Sequence, residues 1–287
     1  MLLWALLLAA CGGNDDASVD TAPEGMRVAA FDFAESELLA ELYAQALEAH
    51  GVPVERLGAV GPREIVAPAL QLDQIDLVPE YVGTAADHYG SAEQDLDGLV
   101  AALEPLGLTA LRAASAQDVN VFVVTASTAS RHGLVAVSDL AGIAPRSRLG
   151  GPVECPERPL CLLGLRDTYG LRFAQFVPQR SLDVTAEALR RGEIDVGVLF
   201  STAAALDERA FVVLEDDRGL QPAENVVPVV RRSALERWGT AVREALDELA
   251  AALTTEELRA LNRRVEDGEP IAAVAASWLA SATPGTG

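Results

Sequence analysis

Two aromatic residues sit where a protein could handle a ligand. In "IDLVPEYVGTA" (residues 75–85), the apolar run of Ile75, Leu77 and Val78 halts at Pro79–Glu80. It delivers Tyr81 at its end and continues into Gly83 and Thr84. A ring with a hydroxyl, placed there, either caps a strand in water or meets a bound molecule. The pattern returns further along the chain. "ALQLDQIDLVPEY" (69–81) and "ALRRGEIDVGVLF" (188–200) align without a gap at Ala69/Ala188, Leu70/Leu189, Ile75/Ile194, Asp76/Asp195, Leu77/Val196 and Tyr81/Phe200. Each reads as helix, turn, apolar strand and terminal aromatic, so the chain reads as two similar lobes with an aromatic at the matching strand end of each.

Catalytic chemistry finds little to work with. Asp76 and Asp195 hold matching turn-to-strand positions, where the expected role is to bind local backbone amides. Asp216–Asp217 reads as a solvated loop. His50, His88 and His132 stand singly, and no CxxC or HxxxH spacing occurs. There is no GxSxG elbow, Walker A loop, GxGxxG turn or HExxH helix. The expectation is a binding protein with no metal and no cofactor, not an enzyme.

The elements that would carry these residues follow from periodicity. "MRVAAFDF" (26–33) alternates like a strand, so Phe31 and Phe33 are candidates for either core or ligand. "AESELLAELYAQALEAHG" shows the i, i+3, i+4 stripe of a helix. Asp32 with Glu35 fits its start and Gly51 its stop. A strand through 52–60, a helix from Pro62 and the strand ending at Tyr81 complete a β-α-β-α-β unit, hence α/β with a parallel or mixed sheet. A second such unit opens with a strand over 118–127. "ENVVPVVRR" (224–232) returns as a strand, and capping signatures at Ser233/Glu236 and Thr254/Glu257 start the C-terminal helices. The expected division is a leader over 1–25, one lobe from 26–117 with 226–287, and another from 118–225. Ligands of open α/β sheets bind beyond the carboxyl ends of the strands, where Tyr81 and Phe200 fall. Gln117, Asp118 and Asn120 lie at the outgoing crossing, and Glu224 and Asn225 at the return. They either line the cleft or satisfy the crossing backbone.

The 287 residues carry a formal net charge of −21 and no lysine. That excess of acid argues against nucleic acid and anionic membrane surfaces as partners. "MLLWALLLAAC" is an apolar leader whose Leu8-Ala9-Ala10-Cys11 resembles a bacterial lipobox, and a polar run follows. Cleavage and lipidation at Cys11 would tether the protein to the outer face of the cell membrane. In that oxidising setting, Cys155 and Cys161 within the Pro-rich "GPVECPERPLCLLGL" are expected to form a disulfide.

Several stretches in order, among them "FDFAESELLAELYAQALEAHG", "IVAPALQLDQIDLVPEYVGTA", "EALRRGEIDVGVLFSTAAAL" and "LTTEELRALNRRV", resemble the substrate-binding proteins of osmoprotectant ABC importers. The likeness, to the glycine betaine/choline/carnitine type, runs from Met26 to Leu279. It implies the type II periplasmic-binding-protein fold, a two-lobed Venus flytrap in which each lobe is a mixed sheet flanked by helices. It also implies a monomer that binds a small quaternary ammonium solute and works with a permease and an ATPase. Carried over residue by residue, Tyr81 contributes to a cage around a trimethylammonium group and Thr84 to binding of the ligand's carboxylate. Phe200 supplies the second-lobe aromatic, with Ser201 and Thr202 beside it. A quaternary ammonium has no N–H to donate, so aromatic faces hold it, at about 0.5–2 kcal/mol each.

The departures are specific. The basic residue common in the first strand-to-helix turn is Phe31 here, and the glutamine that follows is Ser36. Second-lobe tyrosines fall on Asn120 and on Glu224 or Asn225. The cage is left with Tyr81, Phe200 and Phe31 or Phe33, among Gln117, Asp118, Asn120, Glu224 and Asn225. A carboxylate near the cation would favour choline, and an amino acid or other polar metabolite is the alternative cargo.

Overall fold

The run before Tyr81 is apolar on both faces because helices cover both faces of its sheet. A computed structural model describes residues 24–282, so Cys11 and the rest of the leader lie outside the described residues. The chain opens with β1 (Met26–Phe31), α1 (Ala34–Ala49), β2 (Val54–Gly61), α2 (Arg63–Gln71), β3 (Leu77–Tyr81), α3 (Val82–His88), α4 (Leu96–Leu103) and β4 (Leu108–Ala110). After a crossing come β5 (Asn120–Thr125), α5 (Ala126–His132), β6 (Arg148–Pro152), α6 (Leu162–Tyr169), β7 (Gln175–Gln179), α7 (Leu182–Arg190), β8 (Val196–Phe200) and β9 (Phe211–Leu214). A return crossing leads to β10 (Val226–Arg231), α8 (Arg232–Trp238), α9 (Thr240–Ala252), α10 (Thr255–Glu266) and α11 (Ile271–Ala282).

Two five-stranded mixed sheets result, ordered β2-β1-β3-β10-β4 and β7-β6-β8-β5-β9. In the first, β1 runs parallel to β2 and β3, and β10 runs antiparallel to β3 and β4. In the second, β6 runs parallel to β7 and β8, and β5 runs antiparallel to β8 and β9. The strand that enters the second lobe and the strand that returns to the first therefore hold equivalent slots. The two crossings lie side by side: Gln117 bridges Asn225, and the Asp118 N–H donates to the Glu224 carbonyl at 3.1 Å. Helices α1, α9, α10 and α11 bury one face of the first sheet, and α2, α3 and α4 bury the other.

Two helix starts differ from the sequence reading. Phe33, not Asp32, holds the N-cap of α1 and makes no side-chain cap. Glu35 is drawn to another partner, while the Phe31 N–H donates to Ser36 Oγ at 2.9 Å. Ser233 lies inside α8, where its hydroxyl accepts from Arg231 at 2.7 Å instead of capping. Thr254 does cap α10, accepting the Glu257 N–H at 3.2 Å. The Glu257 carboxylate leaves the box open and accepts from Trp278 Nε1 at 2.7 Å, pinning α11 to α10.

The repeat seen in sequence has a direct chemical counterpart. Asp76 Oδ2 accepts both the N–H and Nε of Arg27 at 2.9 Å, and Oδ1 accepts Nη2 at 2.9 Å. Asp195 does the same for Arg148, at 2.8, 3.1 and 3.2 Å. Each aspartate staples the start of a parallel strand to the turn before its neighbour, so both are structural. The Asp76 side chain is 5% exposed and that of Asp195 36%, so the first staple contributes more. Asp76→Ala leaves a backbone donor and a guanidinium without their acceptor and is expected to cost about 2–4 kcal/mol. Chemical denaturation should show this loss, a smaller one for Asp195→Ala, and unchanged solute affinity in both.

Candidate functional site

Antiparallel pairing brings each strand-end aromatic beside a crossing. Tyr81 at the end of β3 pairs with Val226 at the start of β10, and Phe200 at the end of β8 pairs with Asn120 at the start of β5. Between the lobes lies a cleft of about 480 Å³. Gly83, Thr84, Asp87, Gln94, Pro222 and Glu224 form one wall; Asn120, Val198, Phe200 and the Pro152–Cys161 loop form the other.

On the first lobe, Tyr81 is buried and its hydroxyl donates to Glu35 Oε1 at 2.6 Å. Glu35 Oε2 accepts from Asn262 Nδ2 on α10 at 2.5 Å. The exposed ring of Phe33 stacks on Tyr81 with centroids 6.4 Å apart, and on buried Phe31 at 6.0 Å. Of the two phenylalanines, Phe31 is core and Phe33 faces solvent beside the tyrosine. Above Phe31, where the resemblance expects a basic residue, stands the Arg63 guanidinium, 5.5 Å from the ring centroid. Arg63 pairs with buried Glu80 at 2.8 Å and donates to Thr84 Oγ1 at 3.0 Å. A cation from α2 thus occupies ground that Phe31 cannot supply.

Thr84 also serves Glu224: its N–H and hydroxyl reach Oε2 at 3.2 and 3.3 Å. Glu224 Oε1 finds no hydrogen-bond partner among the described residues. Burial pushes the Glu224 carboxyl up, against the pull of the Thr84 donors. A Cβ at Gly83 would lie 3.0 Å from the Ala223 carbonyl and 3.1 Å from Glu224 Oε1, so a larger residue would push this crossing apart by a few tenths of an ångström.

On the second lobe, Phe200 is 38% exposed at the cleft. Its neighbours turn inward. Ser201 Oγ donates to the Gln117 carbonyl at 2.7 Å and accepts the Val119 N–H at 3.0 Å, so it stitches the outgoing crossing. Thr202 Oγ1 donates to Asp118 Oδ1 at 3.0 Å. Asn225 donates to the Ala114 carbonyl at 2.8 Å and secures the crossing backbone. Asn120 reaches Gln221 at 3.3 Å, and Gln221 holds the Leu160 carbonyl at 2.8 Å. The expected residues thus divide: Thr84, Asn120, Phe200 and Glu224 line the cleft, Tyr81 is buried beneath the exposed Phe33 and neither lines it, Thr202 holds Asp118, and Ser201 and Asn225 serve the crossings.

Cys155 and Cys161 are bonded, with Cα atoms 5.2 Å apart, and both line the cleft. Within the loop they close, Arg158 is exposed at the cleft wall, and its guanidinium makes no hydrogen bond or ion pair among the described residues. Sequence reasoning missed Arg158, Glu35 and Asn262. Arg158 lay inside the stretch read only for its cysteines, and Glu35 was assigned to a helix cap. Asn262 carries no local sign of a role 227 residues from its partner.

Residues 25–281 match the family described as the substrate binding domain of the ABC-type glycine betaine transport system. The chain belongs to that family. It is the extracytoplasmic substrate-binding component of a glycine betaine-type ABC importer, not an enzyme. It is similar to a glycine-betaine-binding protein of Pseudomonas aeruginosa, 26% identical over 91% of this chain and 88% of the relative. It also resembles the ergothioneine transport permease/ergothioneine binding protein of Helicobacter pylori, 23% identical over 81% of this chain and 43% of that protein. A crystal structure of a glycine betaine/carnitine/choline ABC transporter protein superposes with a TM-score of 0.80 at 22% identity, covering 89% of this chain and 98% of the other. This bears out the two-lobed type II fold. Among the described residues no helix is long and apolar enough to cross a membrane.

A carboxylate cluster sits behind the cleft of this family member. Burial pushes the Asp118 carboxyl well above the usual carboxylate range; the Glu35 and Glu224 charges add to this, and the Thr202 hydroxyl opposes it. An acid with a raised native pKa holds its proton more tightly when folded. Stability is therefore lost as pH rises from the unfolded value, about 4, through the native one. Asp118→Asn keeps an oxygen for Thr202 and removes the charge. It is expected to raise the Tm at about pH 8 and to leave it nearly unchanged at about pH 4, as thermal denaturation at the two pH values would read.

Proposed function

We propose that this protein is a lipid-anchored receptor that captures a small zwitterion with a methylated ammonium group, of the glycine betaine class, and delivers it to an ABC permease. The observation that carries the reading is the Arg158 guanidinium, unpaired among the described residues, on a cleft that also presents the Phe200 ring and the carboxylates of Asp87, Glu154 and Glu224. Such a cleft is electrically two-ended. A carboxylate can take the fork of Arg158, and a forked carboxylate pair is among the stronger charge-assisted contacts. The ammonium end meets the exposed rings of Phe200 and Phe33 as the lobes close over it, with buried Tyr81 stacked behind Phe33. The Glu35 hydrogen bond fixes the buried Tyr81 ring by its hydroxyl, and the exposed Phe33 ring stacks on it. Anchoring rests on the resemblance of Leu8–Cys11 to a lipobox.

The P. aeruginosa relative is named for binding glycine betaine, which fits this division of charge. The H. pylori relative is named for ergothioneine, itself a trimethylammonium betaine with a larger body, and that is the second reading. A thermal-shift screen of glycine betaine, choline, carnitine, ergothioneine and amino acids separates the readings, because ligands stabilise the folded state by mass action. In calorimetry, Tyr81→Ala and Phe200→Ala are each expected to weaken glycine betaine tenfold or more, about 1.4 kcal/mol. Arg158→Ala should weaken glycine betaine similarly and leave choline, which lacks a carboxylate, little changed. Equal losses for both ligands would contradict the assigned role of Arg158.

A further inference from the structure

Helix α10 packs into the first lobe through buried Leu258 and Leu261, yet its polar face grips the second lobe. Arg259, Asn262 and Arg263 are spaced i, i+3, i+4 and so share one face. Arg259 donates to the Ser201 carbonyl through Nε at 3.0 Å and Nη2 at 2.7 Å, and pairs with Asp207 at 3.3 Å. Arg263 donates to the Ala204 carbonyl and pairs with Asp207 at 2.9 Å. Between them, Asn262 Nδ2 serves the Thr202 carbonyl at 3.3 Å as well as Glu35 Oε2. Since Glu35 Oε1 takes the Tyr81 hydroxyl, one chain of bonds runs from Tyr81 to the turn that follows Phe200. None of these three α10 residues lines the cleft.

We propose that α10 is a cross-lobe latch. Arg259, Asn262 and Arg263 are positioning residues that hold the turn after Phe200 against the first lobe and, through Glu35, set the Tyr81 ring in register with it. Two aromatic faces serve one ammonium group only if their separation is right, and a site whose supporting contacts are loose by about 1 Å loses much of its function. The donors suit a latch, since two of them are charged, and bonds with an ionised donor are shorter and stronger than neutral ones. The latch ties the relative position of the lobes to the geometry of the cage, so cage assembly and lobe position become one event.

The affinity arm of the test rests on the solute reading above; the scattering arm does not. Calorimetry with glycine betaine on wild type, Asn262→Ala, Tyr81→Phe and the double variant forms a cycle. Tyr81→Phe keeps the ring and removes the hydroxyl. Asn262→Ala is expected to weaken binding about tenfold, and the double variant to be no weaker than the poorer single, because both cut the same chain. Additive losses, or unchanged affinity in Asn262→Ala, would overturn the relay; a merely structural asparagine gives additivity. Should Asn262→Ala fail to fold, Asn262→Ser replaces it, keeping a polar group that is too short to reach both Glu35 and the Thr202 carbonyl. In parallel, small-angle scattering of the unliganded Arg259→Ala/Arg263→Ala protein should show a larger radius of gyration than wild type, and an unchanged profile would overturn the latch. If wild type binds no glycine betaine, the solute reading fails at that step, and scattering still decides the latch.

Discussion

Carboxylates taken out of water need donors, and the seam between the lobes is organised around that need. Glu35, Glu80 and Glu224 are all buried close to the end of β3 or the return crossing. Their donors come from elsewhere: Tyr81 and Asn262 for Glu35, Arg63 for Glu80, and Thr84 for Glu224. Asp118, just across the outgoing crossing, is held by Thr202. Each carboxylate thereby fixes the position of a residue at or behind the cleft.

The twin architecture turns this chemistry into a binding site. Equivalent slots for β10 and β5 bring both crossings to the ends of β3 and β8, so two aromatics placed 119 positions apart reach a common seam. The Arg27–Asp76 and Arg148–Asp195 staples hold each sheet at the end away from the cleft. The short disulfide loop completes the second wall and presents Arg158 from a constrained backbone.

Sequence and structure contributed different things. The alternation of apolar strands and amphipathic helices, the repeat ending at Tyr81 and Phe200, and the bonded pair Cys155–Cys161 were legible because each depends on local periodicity or on neighbours a few residues apart. So were the structural roles of Asp76 and Asp195. The helix caps at Phe33 and Arg231 were not. A side chain with capping chemistry goes to whichever partner the fold presents, and Glu35 meets Tyr81 while Ser233 meets Arg231.

Of the residues expected at the site, Thr84, Asn120, Phe200 and Glu224 line the cleft. Only the tertiary structure separated the cleft-lining Asn120 from Asn225 at the crossing, or exposed Phe33 from Phe31 in the core. It alone put Arg63 over Phe31, Asn262 against Glu35 and Arg158 on the cleft wall. The reason is physical: periodicity tells which way a side chain leaves its own element, whereas hydrogen bonds and ion pairs form between atoms that only folding makes neighbours.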